Sequence, residues 1–161
     1  MAHPFEPLRV LAALQAHGVT FVLVGGMASA AHGAPISVGD VDICIPNNDP
    51  DNLRRVSLAL KQLGAEPIGE DAAHRSSYAT VGGKLDVIEL GRSFDGLWAN
   101  GADENLGMGV VARVASMADL MELKRRSGGR NARSVHAMPP SALLTVGFAL
   151  RPRCAGRRHR C

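Results

Sequence analysis

Hydrophobic positions along this chain change period repeatedly between its start and about residue 126. Leu8, Leu11 and Leu14 recur every three residues within Glu6–His17, which predicts a short amphipathic helix ended by Gly18. Val19–Val24 is an apolar run of strand length, and Gly26–His32 is a stretch of small residues that predicts a short helix closed by Gly33. Val38–Ile45 reads as a second strand, halted by Pro46-Asn47-Asn48. Asp49 or Asn48 can then cap a helix with Pro50 at its first position, and that helix sets Leu53, Val56, Leu60 and Leu63 on one face before Gly64. Ser77–Val81 and Lys84–Leu90 read as two strands joined by a Gly82-Gly83 hairpin turn. Phe94–Trp98 predicts a short helix and Met108–Ala115 another strand. Ser116, with Asp119 three residues on, caps a helix over Met117–Arg126. Helices interleaved with strands imply a mixed α/β (α+β) domain built on one sheet.

Composition narrows the class. The 161 residues suit one domain, or one domain with a tail, with an ordinary apolar content and no run near the ~20 residues of a membrane span. The start lacks the basic and apolar regions of a signal peptide. Three cysteines, Cys44, Cys154 and Cys161, are too few for a disulfide framework, so a reducing cytoplasm is expected, with Cys44 a small hydrophobe inside a strand. The net charge of +3 hides a division: 8 Lys/Arg face 15 Asp/Glu up to Leu123, whereas 10 Lys/Arg and no acid follow from Lys124 onward. The sequence thus divides into a domain over residues 1–130 and a basic segment over 131–161. That segment has two readings: a phosphate-binding arm, or a helical subdomain lost by truncation or a frameshift.

The candidate chemistry lies in two adjoining elements. Phe21–Val24 leads through Gly25-Gly26 into a small-residue helix, and the next strand carries Asp40 and Asp42. Side chains two apart on a strand share a face, roughly 6–7 Å apart. Two carboxylates so placed repel unless a cation lies between them, and a hard divalent ion with phosphates completing its shell is the usual one. A glycine turn at a helix start offers backbone N–H groups to such phosphates. Asp86, on the same strand face as Lys84 and Ile88, becomes a third carboxylate if its strand lies beside that of Asp40 and Asp42; otherwise it is a surface residue paired with Lys84. His32 before Gly33 reads as a cap or packing residue more readily than as a base.

Gly25-Gly26 followed by Asp40-Val41-Asp42 and a later Asp86 resembles the polymerase-β-like nucleotidyltransferase superfamily. Val24-Gly25-Gly26-Met27-Ala28, His32-Gly33, Asp40-x-Asp42 and the Asp119-Leu120…Lys124…Gly129-Arg130 stretch are similar to AbiEii/MenT-type toxin nucleotidyltransferases. The resemblance implies that Asp40, Asp42 and Asp86 bind metal, two Mg²⁺ in all, and act in catalysis together with Lys124, which approaches the phosphates. It implies that Gly25, Gly26 and Met27 bind the NTP. The chain departs from that family at Ile36 and Val38, where relatives carry a basic and a hydroxyl residue. The implied function is transfer of an NMP from an NTP to a macromolecular hydroxyl, the tRNA 3′ end in family terms, by the toxin of a toxin–antitoxin pair with a cognate antitoxin protein. The alternatives are an antitoxin-type enzyme that AMPylates a protein, and a degenerate domain that binds nucleotide or a partner without turnover.

Overall fold

The computed structural model describes residues 4–71 and 74–126. Helix α1 (Pro7–Ala16) opens the chain and leads to β1 (Val22–Val24), α2 (Gly25–Ala31) and β2 (Asp40–Pro46). Then come α3 (Pro50–Gln62), the hairpin strands β3 (Glu66–Asp71), β4 (Arg75–Thr80) and β5 (Gly83–Leu90), and α4 (Ser93–Asn100). A second hairpin, β6 (Ala102–Gly107) and β7 (Val110–Val114), precedes α5 (Met117–Arg126). The seven strands form one mixed sheet in the order β3-β4-β5-β2-β1-β7-β6. Among the described residues only β2/β5 and β1/β7 run parallel. The expected mixed α/β class is therefore the one observed.

Strand parity builds the core. Val41 and Ile43 of β2 and Leu85 and Val87 of β5 are paired in register and buried on one face of the sheet. Helix α1 supplies Val10, Leu11 and Leu14 to the core, and α3 adds Val56 and Ala59, followed by Leu63 at its C-cap. Asp49 caps α3 by accepting a hydrogen bond from the Asn52 N–H at 2.9 Å, so of the two candidate caps the aspartate is used. Asn52 itself is wholly buried, and its amide exchanges bonds with the Thr20 backbone N–H (2.7 Å) and C=O (2.9 Å), tying α3 to the approach to β1. Ser116 accepts from the Asp119 N–H and donates to its carboxylate, the expected cap of α5.

Several expected boundaries move. The hairpin turn between β4 and β5 is Val81-Gly82, because Gly83 already pairs with Thr80. Gly83 has φ +111, and a Cβ there would lie 2.7 Å from the Phe5 ring, so glycine is required inside the strand. The strand expected from Met108 begins at Val110, and Met108 is instead 91% exposed at the β6–β7 turn with φ +52. Strand β1 starts at Val22, three residues later than its apolar run, and β2 at Asp40. Strands β3 and β6 are additions. Both lie at sheet edges, and β6 (Ala-Asp-Glu-Asn-Leu-Gly) is exposed at five of its six residues, which erases the alternation that marks a half-buried strand. Among the described residues no helix is long and apolar enough to cross a membrane. The basic segment 131–161 and the boundary drawn near residue 130 lie outside the described residues.

Candidate active site

Register assembles the carboxylates. In the parallel β2/β5 pair Asp40 stands opposite Lys84 and Asp42 opposite Asp86, and in the antiparallel β4/β5 pair Ser77 stands opposite Asp86. Neighbouring strands are about 4.8 Å apart, so residues paired in this way present their side chains to one another on one face. Asp40, Asp42 and Asp86 each offer a carboxylate oxygen within 4.8 Å of the others. Asp86 is thus no surface residue; it is wholly buried, although it does pair with Lys84.

Helix α2 begins against this cluster. Gly25 has φ +67, and a Cβ on it would lie 2.2 Å from Asp42 Oδ2. Both the left-handed backbone and the contact with the carboxylate exclude any side chain there. Gly26 differs: a Cβ on it would meet Ile36 and Val38 at ordinary contact distances of 3.8 Å. Ile36 and Val38 therefore stand beside the start of α2. Met27 packs its side chain on the core, which leaves its backbone N–H as its polar offering at the helix start. His32 caps the other end of α2, and its Nε2 donates to the Ala115 carbonyl at 2.8 Å, a bond that joins α2 to the end of β7. Lys124 lies half-buried in the last turn of α5, a helix that packs on α2, and the neighbouring Arg125 and Arg126 pair with Glu122.

Two basic residues and a hydroxyl complete the site. The Arg75 guanidinium donates to Asp42 Oδ1 at 3.0 Å and is in contact with Asp86 Oδ2. Lys84 Nζ donates to the same Asp86 oxygen at 2.8 Å and lies 3.8 Å from Asp40. Ser77 Oγ donates to Asp86 Oδ1 at 2.6 Å. Burial alone would raise the Asp86 carboxyl, but the hydrogen bonds from Lys84, Ser77 and Arg75 outweigh it and hold the group below the usual carboxylate range. Asp42 has no such shell. Its burial, followed by the charges of Asp40 and Asp86, pushes it up to about 7 against the opposing pull of Arg75. Cys44, on the same strand face, is raised to about 12 by burial and by Asp42, so its thiol stays neutral.

Arg75 and Ser77 escape a sequence reading because they belong to the site only through the long-range β4/β5 register. The available signal is parity: with Ser77 opposite Asp86, Arg75 falls on the same face two residues away.

Three carboxylates converging from two strands form a hard oxygen donor set, suited to an ion such as Mg²⁺ or Mn²⁺ rather than to a thiophilic metal. Asp86 and Asp42 accept cationic donors already, so the cluster fits positive charge. No protein-family model matches the sequence, and no curated protein matches it. Among solved structures, the chain aligns with the nucleotidyltransferase candidate TM1012 of Thermotoga maritima at a TM-score of 0.56 and 19% identity, over 78% of this chain and 88% of that one. The chain has a nucleotidyltransferase fold. The antibiotic-resistance factor ANT(2'')-Ia aligns at the same TM-score of 0.56 and 15% identity, over 84% of this chain and 75% of its own. Its complex with adenylyl-2''-tobramycin aligns at 14% identity, over 84% and 80% respectively. Within this polymerase-β-like nucleotidyltransferase fold, the carboxylate cluster lies on β2 and β5, with the start of α2 alongside.

Proposed function

We propose that the protein is a nucleotidyltransferase that moves an NMP from an NTP to a hydroxyl acceptor. The observation that carries this is the convergence of Asp40, Asp42 and Asp86 beside an obligatory glycine at the start of α2. Asp40 and Asp42 would hold two Mg²⁺ and Asp86 the one nearer the acceptor. When bound, these ions acidify the acceptor hydroxyl and neutralise the triphosphate. The acceptor oxygen forms a bond to the α-phosphorus, the bond from that phosphorus to the β-phosphate oxygen breaks, and pyrophosphate departs. Asp86 takes the hydroxyl proton. Backbone N–H groups at Gly25, Gly26 and Met27 receive phosphate oxygens, and Lys124 adds a point charge.

The acceptor we favour is the 3′ end of tRNA, with the protein serving as the toxin of a toxin–antitoxin pair. The support is the AbiEii/MenT-type motif order and the run of 10 Lys/Arg without an acid from Lys124 onward. A small-molecule acceptor is the second reading, favoured by the alignment with ANT(2'')-Ia bearing adenylyl-2''-tobramycin. Incubation with each NTP, Mg²⁺ and in turn total tRNA, aminoglycosides and cell protein separates them. Modified tRNA supports the first reading, modified aminoglycoside the second, and modified protein an AMPylating enzyme. Asp42→Ala should abolish whichever product forms; an undiminished product would remove the cluster from the chemistry.

A further inference from the structure

Asp86 is held on both carboxylate oxygens by the protein itself. Its Oδ1 accepts from Ser77, and its Oδ2 meets both Arg75 and Lys84. A carboxylate oxygen has two lone-pair sites, so Oδ2 has no position left for an ion until one of the cations withdraws. The two cations are not equivalent. Lys84 lies between Asp86 and the half-exposed Asp40, whereas Arg75 bridges Asp86 and Asp42, the two more buried carboxylates. An ion shared by Asp42 and Asp86 needs the space that the guanidinium fills.

We infer that Arg75 is an exchangeable counter-ion that holds the position between Asp42 and Asp86 in the metal-free protein and leaves it when a divalent ion binds. The inference rests on the nucleotidyl-transfer reading for the presence of the ion. Without a resident cation the register would set three carboxylates side by side with Asp86 wholly buried, an arrangement that costs stability. Arg75 meets that cost reversibly, because its side chain is 36% exposed and can swing toward solvent without disturbing the core. Ser77, bonded to the other oxygen, keeps the Asp86 carboxylate oriented during the exchange. The released guanidinium stays tethered at the start of β4, where its planar fork suits phosphate oxygens.

Binding of Mn²⁺ to the full chain, followed by the paramagnetic resonance of the free ion, tests the exchange. Arg75→Gln should bind Mn²⁺ roughly tenfold more tightly than the wild type, the scale of removing one partly screened charge, and should melt at a lower temperature without metal. Arg75→Lys, which keeps the charge, should restore most of the wild-type behaviour. In the wild type, the Arg75 Nε–H resonance should shift on Mg²⁺ addition and saturate with the ion, a readout that needs no variant to fold. Wild-type binding with an unmoved Arg75 resonance, or with equal affinity in Arg75→Gln, overturns the exchange and leaves the metal site standing. Failure of both proteins to bind Mn²⁺ overturns the metal site and the exchange with it.

Discussion

The Asp42 carboxylate fills the space that a side chain at Gly25 would need, and each residue predicts a distinct behaviour. Gly25→Ala would set a Cβ 2.2 Å from Asp42 Oδ2 on a backbone with φ +67. We expect a loss of about 2 kcal/mol in chemical denaturation and loss of NMP transfer. Gly26→Ala is the contrasting control, since its Cβ finds ordinary contacts at 3.8 Å and alanine favours the helix by about 0.5–1 kcal/mol. It should keep or raise stability, and lowered transfer in a stabilised protein would assign its bare backbone to phosphate. Asp42 governs pH dependence in metal-free buffer. Its carboxyl is raised from 3.8 to about 7, chiefly by burial, so its contribution to stability is complete below about pH 4 and is lost as pH rises through 7. Asp86 acts in the opposite sense: held low, it stabilises above the ordinary carboxylate range and loses that contribution only as acid protonates it. Melting temperatures in chelator should therefore fall between pH 5 and 8 in the wild type and stay level in Asp42→Asn. The difference at pH 8 should be about 2–4 kcal/mol in favour of the variant. Parallel curves for the two proteins would contradict the assignment.

At the level of elements, legibility followed burial. The buried faces of β2 and β5 were readable because Val41, Ile43, Leu85 and Val87 alternate with polar residues. The caps of α3 and α5 were readable because Asp49 and Ser116 act on residues three positions away. Strands β3 and β6 were not readable, since edge strands with polar residues on both faces carry no period. The share of the site on β4 was hidden for a different reason: nothing local to Arg75 or Ser77 reports that β5 lies alongside in that register. Helix α2 carries a prediction of its own. His32 ties its end to the Ala115 carbonyl, so His32→Ala should cost about 1 kcal/mol and change transfer by no more than two- to threefold. A collapse of kcat without loss of stability would make His32 part of the chemistry. Asp49→Ala should likewise cost about 1 kcal/mol through the lost cap of α3, measured by the urea midpoint, with transfer unchanged.

For the whole molecule, the sheet order matters most. Placing β5 beside β2, and both in parallel register, brings Asp86 opposite Asp42 across more than forty residues of intervening chain. A shift of one residue would turn Asp86 to the other face and dismantle the cluster. The same sheet supports the alignment with TM1012 and ANT(2'')-Ia, although identities of 14–19% carry the fold alone. The proposed transfer turns on which bond of the triphosphate breaks. An NTP labelled in turn at its α- and γ-phosphates, supplied with Mg²⁺ and the candidate acceptors, answers that directly. The account predicts α-label on the acceptor, γ-label released in pyrophosphate, and neither outcome in Asp42→Ala; γ-label on the acceptor, or α-label transfer that persists in Asp42→Ala, would contradict it.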